Sequence, residues 1–177
     1  MQFTRYELYD LINRSGPLYL SYADLTEANL DGANLSNAEL KFSTLIKSRL
    51  EGANLYKALL SYAHLEGANL TRAVLSFANL TGANLSGASL YGATLTEARL
   101  VKVNLTMAVL SRATLYRAVM VYSDLTGADL TEADLTQARM DEVIMHETRL
   151  DGAIYDKQTI WPDGFDPEKA GARLINR

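Results

Sequence analysis

The sequence predicts an all-β solenoid, a single domain wound into a β-helix, and two observations carry that expectation. Leucine, replaced by methionine at Met120, Met140 and Met145, stands at every fifth position from Leu20 to Leu150, giving 27 successive pentads without a slip of register. Alanine stands two residues before those positions in 20 of the 27, the exceptions being Leu18, Ser43, Ser48, Val103, Ser123, Val143 and Thr148. On an α-helix, five-residue steps of about 500° scatter the leucines around the cylinder. In a long flat strand they alternate faces. A path of short straight sides fits instead: Ala and Leu, two apart, point the same way in a strand-like segment, and the residues after Leu turn a corner. Leucine then fills the axis, alanine fits beside it, and Thr, Ser, Asn, Asp and Gly suit the outer turn.

A weaker recurrence suggests the number of sides. Tyr22, Phe42, Tyr62 and Tyr122 recur at multiples of 20, and Ser21-Tyr22-Ala23-Asp24-Leu25 matches Ser61-Tyr62-Ala63-His64-Leu65 at an offset of 40. Four sides per coil is the simplest reading. With repeats such as Ala78-Asn79-Leu80-Thr81-Gly82 running from residue 18 to 155, the chain resembles the pentapeptide-repeat proteins. The resemblance implies a right-handed quadrilateral β-helix with stacked leucines. Nearly seven coils would give a shaft roughly 32 Å long at a strand spacing of about 4.8 Å.

The ends depart from the repeat, as an open axis and bare strand edges require. Residues 1–17 are expected to form an N-terminal helical cap, 18–155 the β-helix, and 156–177 a C-terminal cap. Thr4 and Glu7 have capping-box spacing, and Phe3 with Leu8 suits a hydrophobic staple, so residues 4–15 should form a short helix ended by Gly16 and Pro17. Beyond Tyr155 the period is abandoned. Trp161 and Phe165 are expected to plug the axis, and Asp166 followed by Pro167 to start a short helix running through Arg173. This tail resembles that of stand-alone cyanobacterial members of the family.

Composition narrows the chemistry. The 177 residues include no cysteine, which removes disulfides, thiolate catalysis and cysteine metal sites together. No 18-residue apolar run and no apolar leader segment is apparent, so a cytoplasmic protein without membrane association is expected. Gly82, Gly87 and Gly92 recur at repeat spacing and read as turn residues rather than a phosphate loop, and Gly82→Ser should be mild unless the turn needs positive φ. His64 and His146 fall four coils apart, too far for one metal. Carboxylates occupy solvated turn slots on a convex shaft, without the concave, partly dry site that acid–base chemistry needs. No enzyme activity, cofactor, metal or small-molecule substrate is expected.

Function must therefore lie on the outward slots. The side centred on Leu20, Leu40, Leu60, Leu80, Leu100, Met120 and Met140 is the most apolar, presenting Tyr19, Tyr22, Phe42, Leu59, Tyr62, Val101, Val119, Val121 and Tyr122. Such a strip suits a protein partner or a homodimer, although stacked aromatics also reinforce neighbouring strands. The expected function is a non-enzymatic interaction scaffold. The alternative comes from the resemblance, since some relatives mimic duplex DNA and protect DNA gyrase. Charge weakens it here: the chain carries 17 basic and 21 acidic residues, and the acids are not evenly spread. From Asp124 to Asp156 nine acids face two arginines, Arg139 and Arg149, whereas Arg99, Lys102, Arg112 and Arg117 dominate the stretch from Glu97 to Ala118. Direct nucleic-acid binding is not expected of a chain with no extended basic patch.

Overall fold

The structure, a computed structural model, describes residues 4–12 and 16–176. From Tyr19 onward the backbone winds as a four-sided β-helix in which each residue before a leucine slot forms a parallel bridge with the residue 20 positions further on, from Tyr19↔Glu39 through Asp134↔Ile154. Four pentads thus make one coil. A single pentad shows how the coil is held. Leu80 N–H donates to the Arg99 carbonyl at 2.8 Å and Gly82 N–H to Val101 at 2.9 Å, both in the next coil, while Asn84 N–H reaches back to Ala63 at 2.9 Å. The turn itself closes through Ala83 N–H to the Leu80 carbonyl at 2.9 Å.

That turn dictates the backbone. Its third residue has positive φ at all 27 corners, as a type II turn requires. Only eight of those residues are glycine; the other 19 carry side chains in a left-handed conformation that costs a non-glycine residue about 1–2 kcal/mol. At 16 of those 19 corners the N–H donates to a main-chain carbonyl of the next coil, which keeps the conformation in place. Short polar side chains assist: Asp129 Oδ1 accepts from Thr131 N–H at 3.0 Å and Asn84 Oδ1 from Ser86 N–H at 3.1 Å, each bracing the entry to a corner.

Inside, leucine and alanine form one continuous core from Leu18 to Tyr155. Where serine replaces alanine, its hydroxyl finds a carbonyl: Ser43 Oγ donates to Leu40 and Ser48 Oγ to Leu45, both at 2.7 Å. Ser123 does more. It accepts from Val103 N–H at 2.9 Å and donates to the Leu100 carbonyl at 2.5 Å, replacing the direct turn bond that the larger Val103 side chain's corner lacks.

Helix α1, Arg5–Ile12, precedes the first coil. Thr4 N–H donates to Glu7 Oε2 at 2.8 Å and Glu7 N–H to Thr4 Oγ1 at 3.3 Å, the reciprocal pair of a capping box. Leu8 is buried in the core and Ile12 packs against it. Phe3, expected as the staple partner, and residues 13–15, expected in the helix, lie outside the described residues.

The C-terminal end corrects the sequence reading. No helix runs from Asp166 through Arg173. The segment makes turns, with Ala170 N–H to the Asp166 carbonyl at 3.2 Å, and Gly171 at φ +93° redirects the chain. Strand β2, Arg173–Leu174, then pairs in parallel with β1, Ile154–Tyr155. The physical reason is the bare edge of β1: Arg173 N–H donates to Ala153 at 2.7 Å and Ile175 N–H to Tyr155 at 2.8 Å, bonds that a helix would leave unmade. The turn at Asp156 allows an extra residue, since Arg139 bridges Ile160 at an offset of 21 rather than 20. Asp156 is buried, and its Oδ1 accepts from the N–H groups of Gln137, Gln158 and Thr159 and from the Thr159 hydroxyl. Burial pushes this carboxyl up, but the four donors outweigh it and hold its pKa below the usual value. Trp161 and Phe165 are partly buried against the core; Trp161 meets Tyr155 edge-on at 5.4 Å and stacks on Phe165 at 5.3 Å.

Candidate protein-interaction face

The apolar side is built by repetition. Tyr22, Phe42 and Tyr62 occupy the same turn position in three successive coils, at φ 64°, 58° and 59°. With identical backbone geometry their rings must lie one above the other. Tyr22 and Phe42 stack at 5.1 Å and Phe42 and Tyr62 at 5.3 Å, both pairs 7° from parallel. The strand spacing of about 4.8 Å suits ring stacking. This ladder remains open to solvent, with Tyr22 75%, Phe42 44% and Tyr62 52% exposed.

Two features depart from the expected strip. The ladder ends at Tyr62, whose ring lies over Gly82: a Cβ on Gly82 would come within 2.5 Å of Cε1. Glycine is required here by a close approach as well as by φ +71°. The next residue in the column is Lys102, so Tyr122 stands apart, 60% exposed and without a ring partner among the described residues. Val101, Val119, Val121 and Leu59 are half-buried rather than open. Tyr19, 76% exposed, lies at the N-terminal end of the same side. The apolar surface is therefore concentrated in the first coils.

It is also broader than sequence grouping by leucine slot implied. Phe77 is 43% exposed at the corner leading into Ala78-Asn79-Leu80, and meets Tyr56 edge-on at 5.6 Å, with Lys57 Nζ 5.2 Å from the Tyr56 ring centre. That corner bounds the same side as the ladder at its other end, and Leu59 lies between them. The sign was present in sequence as aromatics 21 residues apart, one slot off the coil period.

Elsewhere exposed apolar residues such as Met107 and Ile144 stand among polar side chains, several of which pair across coils. Arg112 Nε lies 2.9 Å from Glu132, a pair between the basic band and the acidic end, while Arg117 lies 3.8 Å from Glu97 within the first and Arg149 3.7 Å from Asp129 within the second. His64 Nδ1 lies 3.2 Å from Glu66, whose Oε1 also accepts from Asn84 at 2.7 Å. Among the described residues no three His, Cys, Asp or Glu side chains gather to hold a metal. No helix among them is long and apolar enough to cross a membrane. A convex shaft is not the whole shape, however. At its C-terminal end Asp141, Glu142, Val143, Ile144, Pro162 and Asp163 line a cleft of about 300 Å³. It holds no histidine, lysine or hydroxyl group beside its carboxylates.

Comparison with known proteins agrees with this architecture. A family model described as pentapeptide repeats matches in 8 copies, over residues 19–56, 48–87, 88–122 and 118–154. No curated protein matches. Among solved structures, a pentapeptide repeat protein from the cyanobacterium Cyanothece 51142 is 41% identical over 52% of this chain and 63% of its own, with a TM-score of 0.52. The chain thus spans under two thirds of that relative's length. HetL of the cyanobacterium Nostoc, described as involved in heterocyst differentiation regulation, is 29% identical over 83% of this chain and 84% of its own, with a TM-score of 0.28. QnrB1, described as a plasmid-mediated fluoroquinolone resistance protein, is 16% identical over 90% of this chain and 80% of its own, with a TM-score of 0.46. Repeat, coil and family model coincide from residue 19 to 154, and the chain belongs to the pentapeptide repeat family of right-handed β-helices.

Proposed function

We propose that this protein is a non-enzymatic scaffold of the cytoplasm that presents the apolar side of its first coils to a protein partner or to a second copy of itself. The observation that supports this most is the exposed ladder Tyr22–Phe42–Tyr62, continued across the side by Leu59 and by Phe77 on Tyr56. Core packing does not need these rings, because the leucine column is closed beneath them. A rigid platform of large apolar side chains binds at low entropic cost. A basic band beside an acidic end, joined by the Arg112–Glu132 pair, favours this reading over imitation of duplex DNA for gyrase.

The test is the variant Phe42→Glu with Tyr62→Glu. Its circular-dichroism melt should stay close to wild type, while self-association in sedimentation velocity, or affinity capture of a partner from native lysate, is lost. Unchanged sedimentation and capture profiles refute the interface.

A further inference from the structure

The last coil is open on one side. Higher in the shaft, Leu125 N–H donates to the Ile144 carbonyl at 2.9 Å and Gly127 N–H to His146 at 2.8 Å, each strand resting on the one below. Nothing lies below Ile144, because the chain leaves the coiled path after Ile160. The N–H groups of Glu142, Met145 and Glu147 and the carbonyl of Val143 make no hydrogen bond among the described residues. Met145 is also the one residue of the leucine column from 20 to 150 that is not fully buried, and Ile144 is 56% exposed. Beside this edge lies the cleft bounded by the carboxylates of Asp141, Glu142 and Asp163.

An unpaired strand edge accepts another strand. We infer that this notch docks an extended, basic segment of a partner protein, which adds one parallel strand beneath Ile144. The repeat's own register sets the contacts. The residue beneath Ile144 donates its N–H to Val143 and accepts from Met145 N–H; the next residue turns inward and covers Met145. Asp141 is already held by Arg139 at 3.2 Å, so the carboxylates that favour lysine or arginine earlier in the segment are those of Glu142 and Asp163 at the cleft. A second copy is a poor occupant. Its basic residues Arg99, Lys102, Arg112 and Arg117 sit on coils whose edges are already paired. The notch lies at the opposite end of the shaft from the aromatic ladder, so it stands independently of the proposed function.

The probe is a fluorescein-labelled peptide, acetyl-Lys-Lys-Ala-Thr-Leu-Lys-amide, titrated with the full chain and followed by anisotropy. Saturable binding that weakens as salt is raised is expected. Affinity should fall at least tenfold when the threonine amide is N-methylated, and at least tenfold for Glu142→Lys with Asp163→Lys, two exposed residues whose change leaves the melt unaltered. Phe42→Glu with Tyr62→Glu should bind the peptide like wild type. Absence of saturable binding, equal affinity for the N-methylated peptide, or equal affinity for a peptide with glutamate in place of lysine overturns the proposal. So does a wild-type dimer that Glu142→Lys with Asp163→Lys dissociates while the peptide fails to bind, which would assign the notch to a second copy.

Discussion

Replacing Gly82 by alanine separates two costs that coincide at one corner. The first is conformational: φ is +71° at Gly82 and +64° at Gly87, and a Cβ in this left-handed region costs about 1–2 kcal/mol at either site. The second is local to Gly82. Its added Cβ would lie 2.5 Å from Tyr62 Cε1 and 2.6 Å from Cδ1, whereas a Cβ at Gly87 meets nothing within 4 Å. Tyr62 is 52% exposed, so its ring can swing away, but only by leaving Phe42 at 5.3 Å. Loss of a stacked aromatic pair costs about 0.5–1.5 kcal/mol. Gly82→Ala should therefore destabilise by about 0.5–1.5 kcal/mol more than Gly87→Ala in urea unfolding followed by circular dichroism. The excess should vanish in a Tyr62→Ala background, where no ring has to move. Equal destabilisation by the two glycine variants, or an excess that survives without Tyr62, would refute the reasoning.

Other expectations follow from the core and its closures. Leu80→Asp puts a carboxylate into a fully buried leucine slot. It loses about 1.5–3 kcal/mol of burial and adds a desolvation penalty of several kcal/mol, so soluble folded protein should not be recovered; a wild-type melt would mean that the slot faces outward. Ser123→Ala removes the partner of Val103 N–H and should cost about 1–3 kcal/mol, against about 1 kcal/mol or less for Ser48→Ala, whose main-chain turn bond at 3.1 Å remains. Thermal melts of the two variants compare them directly. Asp156 is held below its ordinary pKa in the folded chain, so its stabilising contribution is present above the ordinary carboxylate range and is lost as pH falls through the lowered folded value. Asp156→Asn should flatten that part of the acid side of the stability profile; an unchanged profile would show that the carboxylate does not carry the effect.

The leucine register made the fold legible because a period of five has few geometric solutions, and the four-sided coil was visible in the 20-residue spacing of Tyr22, Phe42 and Tyr62. The site was only partly legible. Tyr122 belongs to the same column in sequence, yet Gly82 and Lys102 separate it from the ladder, a break that a list of apolar residues conceals. Phe77 was missed for the opposite reason: it pairs with Tyr56 across a corner, one slot away from the coil period. At the C-terminal end local signals misled. Asp166 and Pro167 are good helix starters, and Asp166 Oδ1 does accept from Lys169 N–H at 3.1 Å. The unpaired edge of Ile154–Tyr155 nevertheless draws Arg173–Leu174 into a strand, a long-range demand that local propensity does not register.

Hydroxyl-radical footprinting tests the central claim most directly, comparing the free chain with the assembly recovered at high concentration or with a captured partner. Protection confined to Tyr22, Phe42, Tyr62 and Phe77, with Tyr122 equally reactive in both states, is the predicted result. Unchanged reactivity of the ladder while another side becomes protected would contradict the assignment of the interaction face.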